Sequence, residues 1–252
     1  MDSRNEEPPV TLAVRAWLAD RPGALGAVAS RIGAVGGDVV GIEILERGAG
    51  RAIDEIIVQL PSATPADLLV REVNEVDGVD VEEVRRLDDG TVDPWLDAVE
   101  TAAQLVGAGD EEELLETLCD RAHRAAGALW AVVIVLEGGV VVASRGEVPS
   151  RAWLAAFVEG SRASARNLGL STDDVTWVPL PATGMALVLG REGTVFRAKE
   201  RRHAAALARV ADAWLRSVRE RSALACRLAH PARRAQARAQ PLARPTARPQ
   251  PT

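Results

Sequence analysis

One short run in the 252-residue sequence combines residue types that could hold a small charged molecule: Asp20-Arg21-Pro22-Gly23-Ala24-Leu25. Pro22 fixes a backbone angle where a helix would begin, and Gly23 leaves room for a ligand or another backbone to approach. The first turn of the following helix exposes unpaired amide donors at a positive dipole end, a seat for a carboxylate. Asp38 comes just after that helix, with Val39 and Val40 opening the next strand. It is expected to lie near the corner and to hold an ammonium group there. An amino acid carries both charges. Plainer roles stay open for the same residues: Asp20 as a helix cap, Pro22-Gly23 as a turn, Asp38 as a solvated strand start.

No other run reads as a reactive centre. His123, His203 and His230 do not fall with carboxylates at metal-ligand spacing. Cys119 and Cys226 are far apart and read as idle thiols of a reducing compartment. Ser161, Ser164 and Ser171 have no nucleophile elbow, and no phosphate-binding or dinucleotide glycine pattern is present. Glu111, Glu112 and Glu113 suit the first turn of a helix. The expectation is a protein that is not an enzyme and carries no cofactor and no metal.

The elements that must position the corner follow from periodicity. Residues 1–9 read as a flexible leader. Val10, Leu12, Val14, Ala16 and Leu18 alternate along a strand expected to have one buried face, with Arg15 and Trp17 on the other. Leu25, Val28, Ile32 and Val35 recur at helical spacing, and Gly36-Gly37 stops that helix. Val40, Ile42 and Ile44 resume alternation, and Gly48-Ala49-Gly50 turns the chain. The next strand places Ile56, Val58 and Leu60 opposite Glu55 and Gln59. Leu69, Val73 and Val76 mark a second helix, and a last strand covers 79–86. The order is β-α-β-β-α-β, a ferredoxin-like α+β domain over 10–87 with two helices on one face of an antiparallel sheet.

Residues 88–94 are acidic and turn-rich and read as a linker to a second α+β domain over 95–221. Its first helix carries Leu96, Val99, Ala103 and Val106, and its second Leu114, Leu115, Leu118 and Ala122, with Asp110 as cap. The apolar run 129–136 predicts a central strand buried on both faces. Gly138-Gly139 predicts a hairpin, 149–165 a helix, 175–180 and 185–190 two more strands. A closing helix over 196–219 carries Leu207, Ala211, Trp214 and Val218. Residues 222–252 are rich in Ala, Arg, Pro and Gln and read as disordered.

Composition narrows the function classes. Hydrophobic residues make up 47% and aromatics 3%, with no tyrosine, so the cores are built from Val, Leu, Ile and Ala. The formal charge is -6; removing the six arginines of the acid-free stretch 222–252 leaves -12 on residues 1–221. An acidic body argues against nucleic-acid binding. The polar start is no secretory signal, and the apolar run 128–136 is too short to span a bilayer, so a soluble, cytoplasmic protein is expected. Lys199 is the single lysine among many arginines, a bias that suggests a GC-rich bacterial genome.

The Asp20–Leu25 tag, the helix length, the Gly36-Gly37-Asp38 exit and the β-α-β-β-α-β order together resemble the ACT family. The resemblance implies pairing of such domains and a regulatory amino acid bound between them. The implied contacts are the loop after the first strand and the residue at Asp38, often Asn in the binders. The candidate ligand set is therefore Asp20, Arg21, Pro22, Gly23, Ala24, Leu25, Asp38, Val39 and Val40. The second region resembles a GAF domain through its two initial helices, the strands around Gly138-Gly139 and the closing run Met185-Ala186-Leu187-Val188-Leu189-Gly190-Arg191 with Phe196. That resemblance implies first and last helices side by side, with Trp214 and Leu215 either at a dimer seam or in internal core. The expected function is non-catalytic regulation: a homodimer formed through ACT domains senses an amino-acid-like ligand and acts on an unknown protein target. A ligand-independent interaction scaffold is the alternative.

Overall fold

Ten residues, Val10–Ala19, form strand β1, and its alternation splits them between two very different faces. The computed structural model describes residues 8–87, 94–165 and 174–238. β1 is followed by α1 (Ala24–Ala34), β2 (Asp38–Gly48), β3 (Arg51–Leu60), α2 (Ala66–Asn74) and β4 (Asp80–Arg86). The strands lie in the order β2-β3-β1-β4, every neighbour antiparallel. Leu12, Val14, Ala16 and Leu18 of β1 join Ile56, Val58 and Leu60 of β3 under Val28 and Ile32 of α1 and Leu69 and Val73 of α2. Period two on the strands and period 3.6 on the helices meet in one core.

The second half supplies α3 (Pro94–Gly107), α4 (Glu111–Ala126), β5 (Trp130–Val135), β6 (Val140–Gly146), α5 (Arg151–Ala165), β7 (Val175–Leu180), β8 (Met185–Gly190) and α6 (Ala198–Arg238). Its sheet runs β6-β5-β8-β7, also antiparallel. β5 is central, and its residues serve two cores. Ala131 and Val133 pack with Leu114, Leu118 and Leu207 of α4 and α6. Trp130, Val132 and Ile134 pack with Leu154 and Val158 of α5. The Asp110 side chain accepts from the Glu113 amide (2.9 Å), capping α4, and Glu113 accepts from the Gly109 amide (2.7 Å). The chain is thus a mixed α+β protein with two four-stranded antiparallel sheets and six helices among the described residues.

Three expectations need correction, and one alternative left open is decided. The first sheet does not have one buried face but two: Ala13, Arg15, Ile53 and Ile57, on the side away from α1 and α2, are buried as well. On α3 the expected core stripe points outward. Leu96, Val99 and Val106 are about half exposed, while Thr101 and Leu105 are buried. This helix is apolar on more than one side, so periodicity alone does not orient it. Of the two places left open for Trp214 and Leu215, the internal core is the one taken: Leu215 is fully buried in it and Trp214 packs against it. Finally, α6 continues to Arg238, through the first part of the stretch expected to be disordered. Residues 239–252, the leader up to residue 7 and linker residues 88–93 lie outside the described residues. Among the described residues no helix is long and apolar enough to cross a membrane.

The Trp130 ring lies directly against the backbone of Gly190, its cross-strand partner, where a Cβ would overlap the indole. Gly190→Ala is expected to lower stability by about 1–3 kcal/mol through overpacking. Urea unfolding followed by circular dichroism measures it.

Candidate functional site

The corner after β1 is open. The Asp20 amide donates to the Gly50 carbonyl (2.9 Å), which ties it to the turn between β2 and β3. Gly23 is the N-cap of α1, with φ of 88° and no side chain capping the helix. That backbone conformation favours glycine. Nothing lies within 4 Å of where a Cβ on Gly23 would sit. Asp20 therefore does not cap α1, and no side-chain acceptor takes up the first-turn amides at the N-cap. Asp20, Arg21, Pro22 and Gly23 are exposed, Ala24 is buried, and Leu25 is partly buried against the core.

Asp38, Val39 and Val40 are not brought to this corner. β1 and β2 are both antiparallel to β3, so they run parallel to each other, and β2 must begin at the end where β1 begins. Asp38 faces Gln59, which in turn faces Thr11 near the start of β1. Eight residues separate that row from Ala19, about 26 Å along a strand. The pocket expected from the corner plus Asp38 does not form within one chain. The cause is topological: α1 carries the chain back across the sheet.

A carboxylate that the sequence reading passed over sits nearer the corner. Asp54 of β3 faces Ala16 of β1 and Ile44 of β2, on the helix-covered side of the sheet. It is only 5% exposed, and its Oδ1 atom is buried without a hydrogen-bond partner. Burial pushes its carboxyl up from the ordinary value; the Arg47 charge works against that and the Asp20 charge adds to it. A signal was present. Stepping back by twos from Leu60, Val58 and Ile56 lands on Asp54, a charge on an otherwise apolar face.

The opposite face of β1 carries a buried ion network. Arg15 is 2% exposed, and its Nη2 donates to Glu55 (3.1 Å) on β3 and to Glu200 (2.9 Å) on α6. Its Nη1 lies 3.8 Å from Glu83 of β4. Glu200 also accepts from the Arg191 side chain and from the Arg197 amide (2.7 Å). Arg85 pairs with Glu55, Arg197 with Glu82, and Lys199 with Glu43. The guanidinium groups of Arg51 (5.2 Å) and Arg197 (5.1 Å) both lie over the Trp17 ring. Four buried nitrogens in this network lack a hydrogen-bond partner: Nε and Nη1 of Arg15, and Nε of Arg191 and Arg197. Beside it a cleft of about 450 Å³, open mouth included, is lined by Glu43, Leu45, Lys199, Glu200, His203 and Leu207, among others.

The charges explain one another. Burial alone would raise the Glu200 carboxyl, but hydrogen bonding and charge from Arg191, then the charge of Arg15, hold it below its ordinary value. Burial alone would lower the Arg15 guanidinium, but Glu200, then Glu55, raise it. Cys119 is buried in the second core, its thiol pushed up to about 12, mainly by burial. Among the described residues no three His, Cys, Asp or Glu side chains come together as a metal-binding group.

No family model matches the sequence, and no curated protein matches it. Similar solved structures include the GAF domain of a phosphoenolpyruvate-protein phosphotransferase from Coxiella burnetii, at 14% identity over 54% of this chain and 99% of that one, TM-score 0.40. The phytochrome photosensory core module of Stigmatella aurantiaca is similar at 14% identity over 69% of this chain and 41% of that one, TM-score 0.37. The chromophore-binding domain of a bacteriophytochrome from R. palustris is similar at 10% identity over 87% of this chain and 98% of that one, TM-score 0.36.

Because the folded-state Glu200 carboxyl lies below its ordinary value of 4.5, the stability it contributes is present above that pH and is lost as pH falls below it. Glu200→Gln is expected to cost about 3 kcal/mol at pH 7, since it leaves buried arginine charge uncompensated. The gap to the parent protein should close on acidification below pH 4.5. Urea midpoints measured in steps between about pH 3 and about pH 7 check both parts.

Proposed function

We propose that this chain is a non-catalytic, cytoplasmic regulatory protein whose first domain binds an amino acid or similar small molecule at the Asp20–Leu25 corner. The observation that carries this reading is that β1 serves two sites at once. It ends in a helix entry with open space over Gly23 and no capping side chain. Five residues before Asp20, on its other face, it is bonded through Arg15 to Glu200 of α6. A ligand carboxylate at the α1 amides would bear on the strand that also anchors α6. The resemblance of the tag and element order to ACT domains points the same way, and it implies that two such domains pair into a homodimer. Signalling requires that the ligand prefer one arrangement of the two domains over another. The protein that receives the signal is a separate partner.

The test is a thermal-shift screen of the full chain against the twenty amino acids. A specific ligand at a hundredfold excess over its Kd stabilises by about 2.7 kcal/mol. That corresponds to roughly 5–10 °C in melting temperature for a chain of this size. Gly23→Asn keeps a residue that tolerates the left-handed backbone while filling the open space, and is expected to remove the response. A flat response to every amino acid, with a stable dimer throughout, would favour the ligand-independent scaffold instead.

A further inference from the structure

We propose that Asp54 is the receptor for the ligand's ammonium group, its unpartnered carboxylate oxygen supplying the negative charge on the helix-covered face of the sheet that Asp38, at the far end, does not supply. This rests on the corner reading and adds the cationic half of the ligand to it.

The geometry comes first. Asp54 occupies an apolar row: Ala52, Ile56 and Val58 precede and follow it on the same face, and Ala16 and Ile44 flank it on the neighbouring strands. A carboxylate that serves the fold in such a place is normally saturated by donors. Here Oδ1 is buried and has no donor among the described residues. Its row lies three residues from Ala19 and five from Thr11, so it belongs to the corner half of the sheet. The charged groups that bear on it are Arg47 from β2 and Asp20 from the corner itself. α1, packed on this face, has Arg31 as its one charged side chain, and that pairs with Glu72 of α2 at the helix's other end.

The chemistry then selects the ligand class. Asp54 lies in the corner half of the sheet and feels the charge of Asp20, which flanks a helix end that favours an anion. A molecule that carries a carboxylate and an ammonium group complements both signs. A simple carboxylic acid would leave Asp54 as it is, buried and without a donor. Burial holds the Asp54 carboxyl above its ordinary value, and the positive charge of a docked ammonium would work against that rise.

The experiment has a ligand-free arm and a probe arm, both on the full chain. An acid whose folded-state value is raised destabilises once pH exceeds its unfolded value, and contributes nothing below it. Asp54→Asn should therefore melt higher than the parent at neutral pH. The two should converge as pH falls below 3.8. A variant that melts lower at pH 7 would show a structural carboxylate and overturn the proposal. In the probe arm, methylammonium chloride should raise the parent's melting temperature over equal sodium chloride and should leave Asp54→Asn unmoved. Equal response of both proteins, or of neither, overturns the assignment. An amino acid that stabilises both proteins equally sinks Asp54 while the corner reading stands. If methylammonium acts but no amino acid does, the corner reading falls instead.

Discussion

A guanidinium group cannot be left alone in a protein interior. Stripped of water, it requires anions from every direction in which it points, and Arg15 obtains them from three elements: Glu55 on β3, Glu83 on β4 and Glu200 on α6. Two of those carboxylates come from strands flanking β1. The third comes from more than 180 positions along the chain. Glu200 is in turn held by Arg191, which also donates to the Ala126 carbonyl at the end of α4. The register of the first sheet, the placement of α6 against it and the end of α4 are thus bound into one electrostatic problem. Such a network contributes little net stability compared with well-packed hydrophobic residues, because desolvation offsets much of the attraction. What it imposes is geometry. The alternatives leave charge uncompensated, and the four unpartnered arginine nitrogens show that even the observed arrangement is not fully saturated.

Much of the architecture was legible from period alone. The alternation of β1 and β3, the helical spacing of Val28 and Ile32, and the continuous apolar run of β5 each appear as their spacing implies. What period could not reveal was which second surface a strand would meet. Arg15 and Trp17 lie on the strand's other face, and nothing nearby in sequence could cover it; the cover comes from Glu200 of α6 and from Arg197 just before that helix. The same limit applies to α3, where two faces are apolar and only the packing of Leu105 decides between them. The extension of α6 has a different origin. Low hydrophobicity argued for disorder beyond residue 221, yet alanine and arginine are among the strongest helix formers, and here backbone propensity is the property that prevails.

The misplacement of Asp38 is instructive because the sequence contained the means to avoid it. In a strand-helix-strand unit whose strands are parallel, the second strand starts where the first one starts. Residues adjacent to the two ends of α1 are therefore at opposite ends of the sheet, however close they are in number. Asp54 was recoverable by the converse argument. A hairpin partner that runs antiparallel brings residues back toward the corner, and Asp54 lies only four residues from the turn at Gly50. Parity then assigns its face. Neither step needs coordinates, only that topology be applied before proximity is inferred from numbering.

The length of α6 has a mechanical side. Forty-one residues in one helix make a rod of about 60 Å at 1.5 Å per residue. Glu200, the residue gripped by Arg15 and Arg191, is the third of them. That grip is at one end; core packing then holds the helix from Ala204 to Leu215, and Arg219 is paired with Glu111. From there to Arg238 about 28 Å of helix remains at 1.5 Å per residue. A bend of about 10° at Arg219 sweeps the far end through about 5 Å, comparable to one helical turn. Movements on the scale of a side chain at Arg238 thus leave the packed core undisturbed.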